Sequence, residues 1–138
     1  MIASALGLHG KPLVERLRMK WLAIAAILGV GLIHLLEARD AFGDTTYKGL
    51  LFVANGAGAL IAAFGVYRNR QVVGWLLGLF IAGGAALAYV ASRTIGLPGL
   101  PAEPGAWLVP SGVASLVCES LFLILFVMTR KAWSDPSR

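Results

Sequence analysis

"SGVASLVCESLFLILFVMTR", residues 111–130, has the length and composition of a membrane-spanning helix, with one carboxylate, Glu119, close to its middle. Crossing a hydrocarbon core takes about 20 residues of helix, and three other segments meet that length. They are "WLAIAAILGVGLIHLLEA" at 21–38, the run 49–67 containing "LLFVANGAGALIAAFGVY", and "VVGWLLGLFIAGGAALAYVAS" at 72–92. With the fourth span taken as 110–129, the chain reads as an all-α, polytopic membrane protein, a four-helix antiparallel bundle forming one domain. A basic, amphipathic arm (1–20) precedes the bundle, a proline-rich loop (93–109) joins spans three and four, and a basic tail (130–138) follows. No internal repeat is evident, and no stretch is left for a soluble domain.

Composition agrees. Of 138 residues, 58% are hydrophobic and 14% charged, against about 25% charged in ordinary soluble domains. The net charge of +5 therefore calls for a membrane explanation first. Lys11, Arg16, Arg18, Lys20, Arg68, Arg70, Arg130, Lys131 and Arg138 fall on one side of the spans, and only Arg39, Lys48 and Arg93 on the other. That asymmetry predicts both termini in the cytoplasm and a multi-pass protein of the cell (inner) membrane. Aromatic residues give the same orientation: Trp21, Tyr67, Trp75 and Trp133 near one interface, Tyr47, Tyr89 and Trp107 near the other.

A cleaved signal peptide over 1–38 is the rival reading. It is disfavoured because the apolar run continues for most of a span and no small-x-small site follows it. In "KPLVERLRMK", Leu13, Val14 and Leu17 share a helical face apart from most of the basic residues, so the arm can lie along an anionic leaflet. Equally, its charges can serve only to set topology. Nothing indicates nucleic acid, since no basic domain with exposed aromatics exists. Cys118 stands alone, which excludes an intrachain disulfide or a CxxC pair.

Small residues mark packing faces. Gly74, Gly78, Ala82 and Ala86 recur at four-residue spacing, a ridge on which another helix backbone can lie. The second span has ridges of its own, Ala54, Gly58, Ala62 and Asn55, Ala59, Ala63. Four helices do not need every ridge internally, so the Gly74 ridge is a candidate face for a homo-oligomer or a larger membrane complex.

Polar residues gather at one depth. Counting inward at about 1.5 Å per residue puts Asn55 roughly 10 Å below the outer surface, with His34 and Glu119 within about a turn of it. Glu37 lies one turn shallower than His34 on the same face, and Tyr89 and Ser92 lie near the outer end of span three. Ser111 and Ser115 lead down to Glu119 at four-residue spacing. Below this layer all four spans are almost wholly apolar. A charge at a helix centre costs about 2.5–3.5 kcal/mol, so Glu119 is expected to face the interior and be protonated or partnered. His34 is the expected partner, each group favouring the other's charged form, with Asn55 as a second donor.

Three readings of the cluster stand. In the first, His34, Asn55 and Glu119 are a structural clasp, although interhelical bonds of this kind average only about 0.6 kcal/mol. In the second, His34, Glu37 and Glu119 ligate a metal, imidazole and carboxylates suiting zinc, copper, iron or manganese. A di-metal site lacks ligands, bis-histidine haem lacks a second intramembrane histidine, and no particular cofactor is assigned. In the third, His34, Glu37, Asn55, Tyr89, Ser115 and Glu119 line a blind, outward-opening pocket for a small ligand, a quinone or a lipid headgroup. A proton or ion pathway is disfavoured by the apolar lower half. The loop "GLPGLPAEPGAWLVP" is apolar enough to fold down as a lid, or serves as a rigid connector. No nucleophile–base set or phosphate loop points to an enzyme.

At "IHLLEARD", "LLFVANGAGAL" and "SRTIGLPG…W…PSGVASLVCES" the chain resembles small bacterial four-helix membrane proteins that carry no assigned activity. The resemblance covers most of residues 21–129. It implies the four-helix architecture and brings no catalytic residues. The resulting expectation is a small accessory or interaction subunit with a ligand pocket; the alternative is a metal- or ion-handling protein.

Overall fold

The computed structural model describes residues 13–130 and is all-helical between them. Four helices are each long and apolar enough to cross a membrane. They are α1 (Leu13–Asp44), α2 (Thr46–Tyr67), α3 (Leu77–Thr94) and α4 (Pro110–Arg130), with a π-helical turn at Gln71–Leu76 leading into α3. His9, Lys11, Lys131, Trp133 and Arg138, with the rest of the outer arm and tail, lie outside the described residues.

α1 is longer than expected. Its 32 residues extend about 48 Å at the usual helical rise. The segment Leu13–Lys20, assigned in the sequence to the basic arm, forms its first two turns, with Leu13, Val14 and Leu17 exposed. At the other end the expected loop 39–48 is largely helical. No proline interrupts it, and Ala38 and Ala41 are buried, so the helix continues to Asp44. Thr45 then turns extended and caps α2, its hydroxyl accepting from Lys48 N at 3.3 Å. The corner is tight because Phe42 lies where a side chain at residue 49 would be; only glycine fits at Gly49.

The link from α2 to α3 is also compact. Asn69 adopts a left-handed conformation (φ 55°), a role asparagine tolerates better than most residues. Arg70 N bonds back to Gly65 O at 2.8 Å. Gly65 and Gly74 then bring two backbones into direct contact, so a methyl group on either would overlap the other chain. The π-helical turn has a consequence for the small-residue ridge. Its i→i+5 pattern is wider than an α-turn, so a four-residue step falls short of a full rotation. Gly74 faces α2, whereas Gly78 faces the ring of Phe122 on α4, and Ala82 is fully buried. The ridge expected to form an oligomer face is thus largely consumed inside the bundle.

Between α3 and α4 the chain follows its prolines and glycines. Gly96 (φ 84°) ends α3, its N–H returning to Ala91 O. Leu97–Leu100 is a tight turn with Pro98 and left-handed Gly99 at its centre, closed by Leu100 N to Leu97 O at 2.8 Å. Pro110 opens α4, where its missing N–H costs nothing.

The dry core occupies the half of the bundle away from this loop. Ala23, Ile27 and Val30 of α1 meet Ala59, Ala62 and Val66 of α2, and Trp75, Ala82, Phe122 and Leu125 complete it. Phe122 is fully buried, with its ring centroid 5.5 Å from that of Trp75. At this end Lys20 Nζ donates to Asn69 Oδ1 (3.0 Å) and Trp21 packs on Tyr67.

Candidate functional site

The loop half of the bundle encloses a cavity of about 830 Å³, walled by all four helices and by the proline-rich loop. Ligand pockets commonly span about 300–1,000 Å³. His34, Glu37, Asn55, Tyr89, Ser115 and Glu119 all line it, as does Ser111. Packing sets their heights. On α1, Gly31 lies against Gly56 and Ala59 of α2, and Leu35 against Gly56, which brings His34 level with Asn55. Gly29 meets Cys118 Sγ of α4, so Glu119 sits one to two turns deeper than His34, about 7 Å along α1.

The residues meet around the cavity, but not as the pairs the sequence led us to expect. His34 Nδ1 is bonded to Val30 O at 2.9 Å, one turn back on its own helix, and its ring rests 4.8 Å from that of Phe52. Glu119 accepts from Ser115 Oγ at 2.6 Å, an intrahelical bond. Asn55 Nδ2 donates across to Ile81 O on α3 at 3.3 Å rather than to a carboxylate. The expected His34–Glu119 pair is therefore not formed: each group has found a nearer partner along its own helix. Among the described residues no three of His, Cys, Asp and Glu converge closely enough to hold a metal ion. The set His34, Glu37 and Glu119 does not form such a group.

Three buried side-chain polar atoms lack a hydrogen-bond partner among the described residues: Asn55 Oδ1, Glu119 Oε2 and Arg93 Nε. All three belong to side chains that line this cavity. Glu119 is only 2% exposed. Buried polar atoms are almost always satisfied in folded proteins, and an orphan costs about 1–3 kcal/mol. Every such atom among the described residues belongs to a residue of this one cavity's lining.

The rim joins Tyr89, which the sequence singled out, to residues that it did not, among them Arg93, Glu103 and Tyr47. Arg93 Nη1 bonds Glu103 Oε2 at 2.6 Å, and its guanidinium lies 4.9 Å over the ring of Tyr89. Tyr89 donates its hydroxyl to Trp107 O at 2.7 Å, and Tyr47 donates to Pro98 O at 2.7 Å. Glu103 N bonds Ser92 O at 2.9 Å. These contacts, from α2 and α3, tie the loop down beside the cavity, and Leu97, Pro98 and Pro101 contribute to its wall. Across the rim Lys48 pairs with Asp44. The available signal was the charge of Arg93 closing an apolar helix, with Glu103 as the only acid in the loop after it.

The cavity also reaches the bundle's flank. α2 touches the π-helical turn at Gly65–Gly74, and touches α3 at Gly58–Ile81 and through Asn55–Ile81. Nearer the loop, Leu51 and Phe80 line the cavity yet are 61% and 74% exposed. A methyl group on Gly84 would meet nothing within 4 Å. Comparison with family models, curated proteins and solved structures finds no match.

Proposed function

We propose that the protein is a small multi-pass membrane component, an accessory or interaction subunit, whose loop-end cavity binds a small amphipathic ligand such as a lipid or quinone headgroup. One observation carries this reading: the three residues with an unsatisfied buried polar atom, Asn55, Arg93 and Glu119, all line a single large cavity. A ligand that supplies their hydrogen bonds gains what the empty fold forgoes.

The finer architecture belongs to the same proposal. The spans run antiparallel, the Lys20–Asn69 end lies in the cytoplasm with both termini, and the cavity opens on the opposite side of the cell membrane. Support comes from the lysine and arginine asymmetry. Arg68 and Arg70 follow α2 directly, at the end where Lys20 meets Asn69. Since the Gly74 ridge is used internally, any oligomeric contact would use another face.

The test is native mass spectrometry of the full chain, released from native membranes in mild detergent, with extraction of whatever is bound. A defined adduct is expected on the wild type, and it should be strongly depleted in an Asn55→Leu, Glu119→Leu double variant that still folds. An adduct-free wild type, or equal occupancy in both proteins, would overturn the reading.

A further inference from the structure

The floor of the cavity is unusual in the polarity of what it leaves unmatched. Ile81 O can only accept, so the bond it receives from Asn55 fixes the amide: Nδ2 is used and Oδ1, an acceptor, is left over. Val30 O likewise can only accept, so Nδ1 of His34 carries the proton, and in the neutral ring Nε2 is an acceptor. Ser115 uses its hydroxyl proton on Glu119 Oε1, leaving Oε2 without a partner. Two helices thus bring the acceptors Asn55 Oδ1 and His34 Nε2 to the floor, and a third brings the Glu119 carboxyl with one oxygen unpartnered.

Charge points the same way. Five carboxylates border the cavity, Glu37, Asp40, Asp44, Glu103 and Glu119, against two bases. Both bases are matched within the rim, Lys48 with Asp44 and Arg93 with Glu103. The remaining acids leave a field that draws cations inward. The wall includes Phe52, over which the protein's own Lys48 ammonium lies at 5.9 Å, a placement that suits ammonium groups generally. Arg93, whose Nε has no partner, stands at the rim, twelve residues along the chain from Ile81 and so about 18 Å away on α3. It does not serve the floor.

An ammonium head needs a carrier, and the flank shows which kind. Between α2 and α3, beyond the Asn55–Ile81 contact, Leu51 and Phe80 are cavity wall and outer surface at once, and Gly84 leaves space between them and the outside. We infer that the cavity takes a membrane-dissolved amphiphile with a primary ammonium head, which enters between α2 and α3, seats its head among His34, Asn55 and Glu119, and leaves its hydrocarbon chain in the seam by Leu51 and Phe80. A primary ammonium offers three N–H donors and no acceptor, the complement of this floor. This inference rests on the amphiphile reading above and specifies it. An amino-bearing lipid and a free long-chain amine share the chemistry.

The experiment uses the full chain in phosphatidylcholine vesicles with a long-chain primary alkylamine carrying a photoactivatable diazirine in its chain. Two matched probes have trimethylammonium and sulfate heads. Saturable labelling by the primary amine is expected, with adducts on α2 near Leu51 and α3 near Phe80. Its affinity should exceed that of the trimethylammonium probe by about tenfold, and the sulfate probe should not saturate. Asn55→Leu and Glu119→Gln should each weaken the amine at least as much. Gly84→Trp, which fills the seam without touching the floor, should suppress labelling. Competition by phosphatidylethanolamine identifies a lipid source, and competition by alkylamine alone a free amine. Saturable labelling without head preference, or indifferent to Gly84→Trp, overturns the inference while leaving the amphiphile reading intact. No saturable labelling by any probe overturns both.

Discussion

Replacing Glu119 by leucine separates a structural role from a binding role, because the two assign opposite signs to the same substitution. Glu119 is 2% exposed, makes one side-chain bond, to Ser115 at 2.6 Å, and leaves Oε2 unsatisfied. Removing it forfeits that bond, worth about 0.6 kcal/mol on average and at most about 1.7 inside a membrane. Removing the orphan oxygen recovers about 1–3 kcal/mol. Leucine has a similar volume and suits the lipid-like surroundings. The difference is a net gain on the order of 0.5–2 kcal/mol for the ligand-free protein. The freed Ser115 hydroxyl has the carbonyl one turn back on α4 as a substitute partner, a habit of serine in helices. The assay is equilibrium unfolding in mixed detergent micelles of rising denaturing-detergent fraction, on protein stripped of lipid, followed by tryptophan fluorescence. Trp75, packed on Phe122 one turn below Glu119, is buried in the native state. Glu119→Leu should be as stable as the wild type or more stable, and should lose the bound ligand. A loss of more than about 1 kcal/mol would show that the carboxyl holds the bundle together and would refute the reasoning.

Three further outcomes are expected. Phe122→Ala should cost about 2–3 kcal/mol, from roughly 24 cal/mol per Å³ over a ring-sized void, less than in water because lipid-exposed states are also apolar. Gly78→Ala should be costly alone, because its methyl group overlaps the Phe122 ring, but nearly free in the Phe122→Ala background; additive effects in the same unfolding assay would contradict the packing. For topology, Gly105 is exposed with open space around it. In a Cys118→Ser background, Gly105→Cys should react with a membrane-impermeant maleimide from outside intact cells, and Arg68→Cys only after permeabilisation. The reverse pattern would invert the proposed orientation.

Depth was legible in the sequence because a helix converts residue count into distance at a fixed rise. His34 and Asn55 are level as counted, Glu119 lies one to two turns deeper than His34, and all three line one cavity. Partnership was not legible, because it depends on helix rotation and on competition from the chain itself. The carbonyl of Val30 lies one turn from the His34 ring, and the Ser115 hydroxyl one turn from Glu119, at no cost in bringing helices together. Cross-bundle partners had to outcompete those local bonds, and in the ligand-free fold only Asn55 reaches another helix. The inward packing of the Gly74 ridge was not legible for a different reason. Its regular spacing implies one face only if the helix is α throughout, and nothing in "QVVGWL" announces a π-helical turn. Arg93 had been read as an orientation charge, which concealed its place on the cavity rim.

Apart from the Asn55–Ile81 bond, neighbouring helices are joined without help from the polar layer, and this bears on why that layer exists. α1 meets α2 where Gly31 lies on Gly56 and Ala59, and α2 meets the start of the third span where Gly65 lies on Gly74. α3 meets α4 through Gly78 and Phe122, and α4 meets α1 through Cys118 and Gly29. Each contact is a close approach of small residues against backbone or a buried side chain, the means by which helices associate where lipid supplies no hydrophobic drive. A clasp of His34, Asn55 and Glu119 would add little to such a bundle, and the three do not bond one another. What they do instead is leave acceptors unmatched around space, at a cost in stability that the rest of the fold can bear. A sequence under no demand but stability would fill that space with leucine and alanine, as it does in the other half of the same bundle. The contrast between a dry, small-residue half and an open half with unspent hydrogen-bonding capacity is what favours a binding role over a structural one.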